Sequence, residues 1–160
     1  MMNITVIALG KLKEKYLTDA INEYSKRISA YGKLQIIELN PVRLSDNPSQ
    51  TEIDNALSKE ADEIKKKIPN NSYVFSLCIE GKEKSSESFA KAINDAAING
   101  KSNIVFIIGS SFGLSPEIKI LSDFKLSFSP MTFPHQLMRV MLLEQIYRAF
   151  QINNNGKYHK

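Results

Sequence analysis

Five short runs of strand-forming residues alternate with five helical stretches along this chain, and that alternation constrains the fold more than any other feature. The runs are ITVIAL (4–9), LQIIEL (34–39), YVFSLCI (73–79), NIVFIIG (103–109) and FKLSFS (124–129). YVFSLCI is apolar at almost every position, so neither of its faces suits water, which predicts a central strand covered on both sides. Between the runs the apolar period lengthens to that of a helix. Tyr16, Leu17, Ala20, Ile21, Tyr24, Ile28 and Tyr31 share one face, with Gly32 as the expected stop. A surface helix is expected from about Thr51 to Ile68 on the stripe Ile53, Leu57, Ala61, Ile64 and Ile68. SSESFAKAINDAAING carries serine caps, Glu87 in its first turn and Gly100 as terminator, and Ser115 with Pro116 opens a short helix. The pattern reads as α/β, a mainly parallel sheet with helices on both faces, in a single domain over residues 1–160. In such sheets ligands bind beyond the carboxyl ends of the strands, which directs attention to 77–82, 108–113 and 128–135.

The last helical stretch has too many apolar residues for one stripe. Leu137, Met138, Val140, Met141, Leu142, Leu143, Ile146, Tyr147, Ala149 and Phe150 surround it almost completely. From Gln136 to Ile152 it would run about 25 Å, most of the width of a domain this size. One side covers the sheet and the other needs cover, for which a second copy of the chain is the simplest source. Its few polar residues sit together, with Glu144 and Arg148 in the favourable i, i+4 order. Such a pair is ordinarily a surface ion pair; a helix this apolar would otherwise keep Arg148 for an anionic or enol-like ligand.

Composition excludes several classes. At 160 residues and 42% hydrophobic the chain builds one core and not two. No apolar run reaches the length of a membrane span and MMNITVIALG has no charged leader before its apolar residues, so a cytoplasmic protein without membrane contact is expected. The lone Cys78 rules out an internal disulfide, and one cysteine with two histidines is too few for a structural zinc site, so no metal is expected. The net charge of +4, with lysines at 11, 13, 15, 26, 33, 82, 84, 157 and 160, suits a polyanionic partner.

The loops narrow the ligand. Gly109, Ser110, Ser111, Phe112 and Gly113 allow a sharp turn, but the segment is neither GxGxxG nor a Walker loop, and only Gly10 follows the first strand, so a conventional dinucleotide site is disfavoured. Ser129, Pro130, Met131, Thr132, Phe133 and Pro134 form a stiff, apolar segment, equally a rigid connector or a wall against an adenine and a thioether or sulfonium. His135 stands at the start of the last helix, as readily structural as catalytic. Tyr158 and His159 lie in a polar tail where an aromatic and an imidazole suit a flap over a nucleobase.

LSFSPMTFPHQLMRVMLLEQIYRAF followed by YHK, with IVFIIGSSFGL, LCIEGKEKSSESFA and ITVIALGKLKEKY, closely resembles the RlmH family of the SPOUT superfamily over essentially the whole chain. The resemblance implies a C-terminal trefoil knot, a homodimer, and S-adenosylmethionine bound by Leu77, Gly109 and Phe128 through Phe133: Phe128, Ser129, Pro130, Met131, Thr132 and Phe133. Where the family usually has a second adjacent glycine, this chain has Ser110. The implied activity is methylation of N3 of a pseudouridine, position 1915 of 23S ribosomal RNA, on the assembled ribosome. On that basis His159 is expected as base or relay, Tyr158 as base-positioning, and Arg148 as stabiliser of the uracil oxygens. With no separate RNA-binding module, recognition falls to the basic surface and to the shape of the target. Two alternatives stand beside it: a non-catalytic ribosome-binding protein that keeps the fold, and a SPOUT enzyme with another acceptor.

Overall fold

The computed structural model describes residues 2–160. Ten elements alternate strictly: β1 (Met2–Leu9), α1 (Lys15–Ile28), β2 (Gly32–Leu39), α2 (Gln50–Lys67), β3 (Ser72–Glu83), α3 (Ser86–Ile98), β4 (Asn103–Ile108), α4 (Pro116–Leu121), β5 (Phe124–Ser127) and α5 (His135–Asn153). All strands are parallel, in the order β2-β1-β4-β3-β5. The α/β architecture expected from the alternation is the observed one.

Alternation within each strand sorts side chains to two layers. Ile4, Val6 and Ala8 of β1 join Ile104, Phe106 and Ile108 of β4 and Phe75 of β3 beneath α1, α3 and α5. Ile7, Leu9, Val105, Ile107 and Val74 face the other way, onto Ala61 and Ile64 of α2 and Ile118 of α4. The thicker layer centres on Phe75 and Phe106, stacked at 4.9 Å, with Phe89 of α3 against both rings. Local chemistry sets the helix ends. Ser49 and Glu52 form a full capping box on α2, Ser85 caps α3, and Ser115 caps α4 with Pro116 as its first residue.

Two boundaries differ from expectation. Gly32 does not stop α1, which ends at Ile28; it begins β2, where a Cβ would lie 2.8 Å from the Met2 carbonyl oxygen and 3.2 Å from Phe150. β3 runs four residues past Ile79, because it pairs with β5 twice. Leu77 and Lys82 both oppose Leu126, and the residues between them loop out of the ladder. Gly81 permits this, since a Cβ there would meet the Lys125 carbonyl oxygen at 2.5 Å. α5, as expected, covers the sheet with one side and leaves the other open. Leu142, Leu143, Ile146, Ala149 and Phe150 are buried between α1 and α3, while Leu137 is exposed and Met141, Glu144, Gln145 and Arg148 are half-buried along one stripe.

Candidate functional site

Beyond the carboxyl ends of β3, β4 and β5 lies a cleft of about 380 Å³. The bulge of β3 supplies Leu77, Cys78, Ile79 and Glu80; the turn after β4 supplies Gly109 to Leu114; the segment after β5 supplies Phe128, Ser129, Met131, Thr132 and Phe133. His135 and Met138 close it from the first turn of α5. Seven of the eight residues assigned to the donor from the sequence therefore line one cavity. Pro130 is the exception: it is exposed and stiffens the segment without lining the cleft.

Each wall is held by identifiable bonds. The Gly113 amide donates to the Ser110 carbonyl at 2.9 Å, closing a turn in which Gly113 takes a left-handed φ of 83°. A Cβ on Gly109 would lie 2.4 Å from the Gly113 carbonyl oxygen, so only glycine fits beneath that turn. The Ser110 hydroxyl donates to Glu60, which is 5% exposed and also accepts from the Val42 amide. One buried carboxylate of α2 thus ties the glycine turn to the proline-containing loop that follows β2. In the third wall, Ser127 donates to the Ser129 carbonyl and the Met131 amide donates to the Ser129 hydroxyl. Arg139, 3% exposed, anchors the start of α5 by donating to Glu38 at 2.6 Å and to the Gly10 carbonyl at 3.1 Å.

The charge inside the cleft is balanced. Lys119 pairs with Glu80, whose carboxyl is held below its ordinary range chiefly by that bond. Partial burial lowers the His135 pKa from the usual imidazole value, which favours a neutral ring at neutral pH. Burial raises the Cys78 thiol, which stays protonated. Among the described residues no group of three or more His, Cys, Asp and Glu side chains is placed to hold a metal ion.

The three residues assigned to catalysis form a second cluster, where the tail folds back on α5 and α3. Arg148 makes a forked pair with Glu144, 2.7 and 3.0 Å to one carboxylate oxygen, and its guanidinium lies 4.6 Å over the Tyr158 ring. Glu144 keeps the guanidinium charged and receives the Tyr158 hydroxyl at 3.1 Å. Burial first, then that bond, raises the Tyr158 pKa above the usual phenol value, so Tyr158 is a neutral donor rather than a base. His159 is held at both nitrogens: Nδ1 lies 3.1 Å from Arg148 and Nε2 lies 2.7 Å from Glu87 at the start of α3. Arginine only donates, so Nδ1 is the acceptor and Nε2 carries the proton.

The two clusters do not touch within one chain. Both border α5, but Met138 and Arg148 are separated by about 15 Å of helix, and His135 and Arg148 by about 20 Å.

Glu60, Glu87, Lys119 and Arg139 carried no assignment in the sequence. Glu87 had a visible role as a first-turn acid, but nothing local signals a bond across 72 positions. The i, i+4 spacing did signal Glu144 with Arg148, and the pair is partly buried rather than a fully solvated surface contact.

Comparison with known proteins places the chain among methyltransferases. The family model "Predicted SPOUT methyltransferase" matches residues 2–159. A protein of Methanococcus maripaludis provisionally named ribosomal RNA large subunit methyltransferase H is 62% identical, over 99% of this chain and all of that one. A ribosomal RNA large subunit methyltransferase H of Clostridioides difficile is 52% identical, again over 99% of this chain and its own full length. The solved structure of a probable methylase family protein from Haemophilus influenzae superposes with a TM-score of 0.52 at 16% identity, over 99% of this chain and 70% of that one, a likeness of fold.

Proposed function

The chain belongs to the SPOUT methyltransferase family, among the ribosomal RNA large subunit methyltransferase H proteins, and on that premise we propose that it methylates N3 of a pseudouridine in 23S ribosomal RNA, using S-adenosylmethionine, as a cytoplasmic homodimer acting on the assembled ribosome. The trefoil knot belongs to the same reading.

The observation that carries the chemistry is the pairing of Arg148 and His159. An imide edge presents a carbonyl acceptor beside an N–H donor. The Arg148 guanidinium and His159 Nδ1 are bonded to each other at 3.1 Å; once that bond opens they present a donor beside an acceptor, the complement of that edge. An imide entering between them gives its oxygen to Arg148 and its proton to Nδ1, which creates the nucleophilic nitrogen. The charge spreads onto the flanking oxygens and is met by a guanidinium that Glu144 holds in place. Tyr158, its hydroxyl committed to Glu144, offers its ring for stacking.

The cleft fits the donor. Leu77, Ile108, Leu126 and Met138 give apolar surface for an adenine and a thioether, and the Glu80–Lys119 pair with His135 leaves no uncompensated cation to repel a sulfonium. When bound there, S-adenosylmethionine supplies an electrophilic methyl that requires alignment and no metal. Methyl and nucleophile must approach to about 3–3.5 Å, whereas one chain separates its cleft from its own Arg148 by about 15 Å along α5. A second copy resolves this by bringing its tail to the first copy's cleft. The open stripe of α5, with exposed Leu137 and the neighbouring exposed Met131 and Phe112, suits such a partner.

Mass spectrometry of 23S RNA from cells with and without the gene tests the reaction, and loss of no methyl group would refute it. Subunit mixing tests the shared site. His159→Ala and Gly109→Ala homodimers should each be inactive at low donor concentration, while their mixture should recover about a quarter of parental activity, since half the dimers are mixed and each holds one intact site. No recovery refutes a site built from two copies.

A further inference from the structure

We propose that Glu87 is a positioning residue for methyl transfer, holding His159 by its Nε2–H so that Nδ1 is turned to the acceptor. The inference rests on the reading of His159 as base and extends it to a residue on another element. The hold is direct, with Glu87 Oε1 at 2.7 Å from Nε2 and the Arg148 guanidinium at 3.1 Å from Nδ1. The imidazole is therefore fixed between a group that only accepts and a group that only donates. With the first bond present, the ring cannot flip without facing a lone pair to a carboxylate and an N–H to a guanidinium.

Glu87 is itself built into the scaffold. It lies in the first turn of α3, whose cap is Ser85 accepting from the Ser88 amide. The preceding residue, Ser86, donates to Gln145 of α5 at 2.7 Å, and Asn153 at the end of α5 donates to the Ala90 carbonyl. Two bonds thus clamp α3 to α5 on either side of the cluster. Apart from Glu87, the charged and titratable groups bonded to the ring or to its partners are Arg148 and Glu144 from α5 and Tyr158 from the tail, with Tyr24 and Arg27 of α1 beyond Tyr158 and Lys157 and Lys160 in the same tail. Of the carboxylates, Glu144 is already occupied by Arg148 and Tyr158, which leaves Glu87 as the one bonded to His159. The tail is also held by the Gly156 amide donating to the Gln151 carbonyl at 2.8 Å, by the Tyr158 hydroxyl, and by the Tyr158 ring against Tyr147 at 4.9 Å and beneath the Arg148 guanidinium. Those contacts keep the tail docked without determining which way the imidazole points.

The chain has only two histidines, so ring N–H signals are readily assigned with a His159→Ala sample. In nitrogen-labelled protein, an exchange-protected His159 ring N–H should be present in the parent and in Glu87→Gln, which keeps an acceptor oxygen, and absent in Glu87→Ala. Methyl transfer should fall about tenfold in kcat in Glu87→Ala, with donor affinity and KM for RNA unchanged, and Glu87→Gln should restore most of the rate. Equal loss in both variants, or a rise in KM alone, overturns the positioning role. So does a Glu87→Ala protein that keeps both the protected signal and the rate while His159→Ala is inactive. If His159→Ala itself keeps full rate, the reading of His159 as base fails first.

Discussion

Gly109→Ala is the sharpest test of the cleft, because its cost follows from contacts that cannot rearrange cheaply. A Cβ would lie 2.4 Å from the Gly113 carbonyl oxygen, 2.6 Å from its carbon and 3.0 Å from Leu114 Cγ. Ordinary contact begins near 3.4 Å, so the turn must retreat by about 1 Å. The retreat strains the Gly113 to Ser110 bond at 2.9 Å and pulls on the Ser110 to Glu60 bond at 3.1 Å. Overpacking of this kind costs about 1–3 kcal/mol, which for a chain of this length lowers Tm by about 2–12 °C. Because the displaced turn is a wall of the cleft, S-adenosylmethionine affinity should fall about 10- to 100-fold. Gly100→Ala is the control. Its φ of 86° makes alanine unfavourable by about 1 kcal/mol, but a Cβ there meets nothing within 4 Å, so Tm should fall slightly with donor affinity unchanged. Isothermal titration and thermal unfolding of both variants read the two effects separately. A Gly109→Ala protein that binds donor as tightly as the parent refutes the argument that this turn shapes the site.

Two further outcomes follow from the core and from the cleft. Ile146→Ala opens a cavity under α5 between α1 and α3 and should cost about 2–5 kcal/mol by denaturant titration, whereas Ile120→Ala, at an exposed position, should change stability by less than about 0.5 kcal/mol. His135 contributes to pH dependence. Its folded pKa lies below the ordinary value of 6.5, so the unfolded chain takes up the proton first; the contribution is complete above 6.5 and lost as pH falls from there through the lowered value. His135→Gln should flatten that part of the stability profile, and an unchanged profile would place the pH dependence elsewhere.

Much of the architecture was legible because strand and helix periods are local. YVFSLCI could only be an interior strand, and Ser115 with Pro116 marked the start of α4 to the residue. The loops around the cleft were legible through family resemblance and through their position after strands. The bulge in β3 was not, since Gly81 reads as a strand end until the backbone of β5 lies against it. Nor was the buried stripe of α2 complete: Glu60 falls among apolar residues and is buried only because Ser110 and Val42 bring it partners.

The amino-acid sequence by itself determined the α/β alternation, the helix caps, the membership of the SPOUT family and the residue types available for chemistry, because periodicity, capping and motif order are properties of neighbouring residues. Only the tertiary structure decided that Glu87 meets His159, that Glu60 joins two loops, and that about 15 Å of α5 separates Arg148 from the Met138 edge of the cleft. Those are distances between segments remote in the chain, set by how the helices pack on the sheet, and no local pattern encodes them.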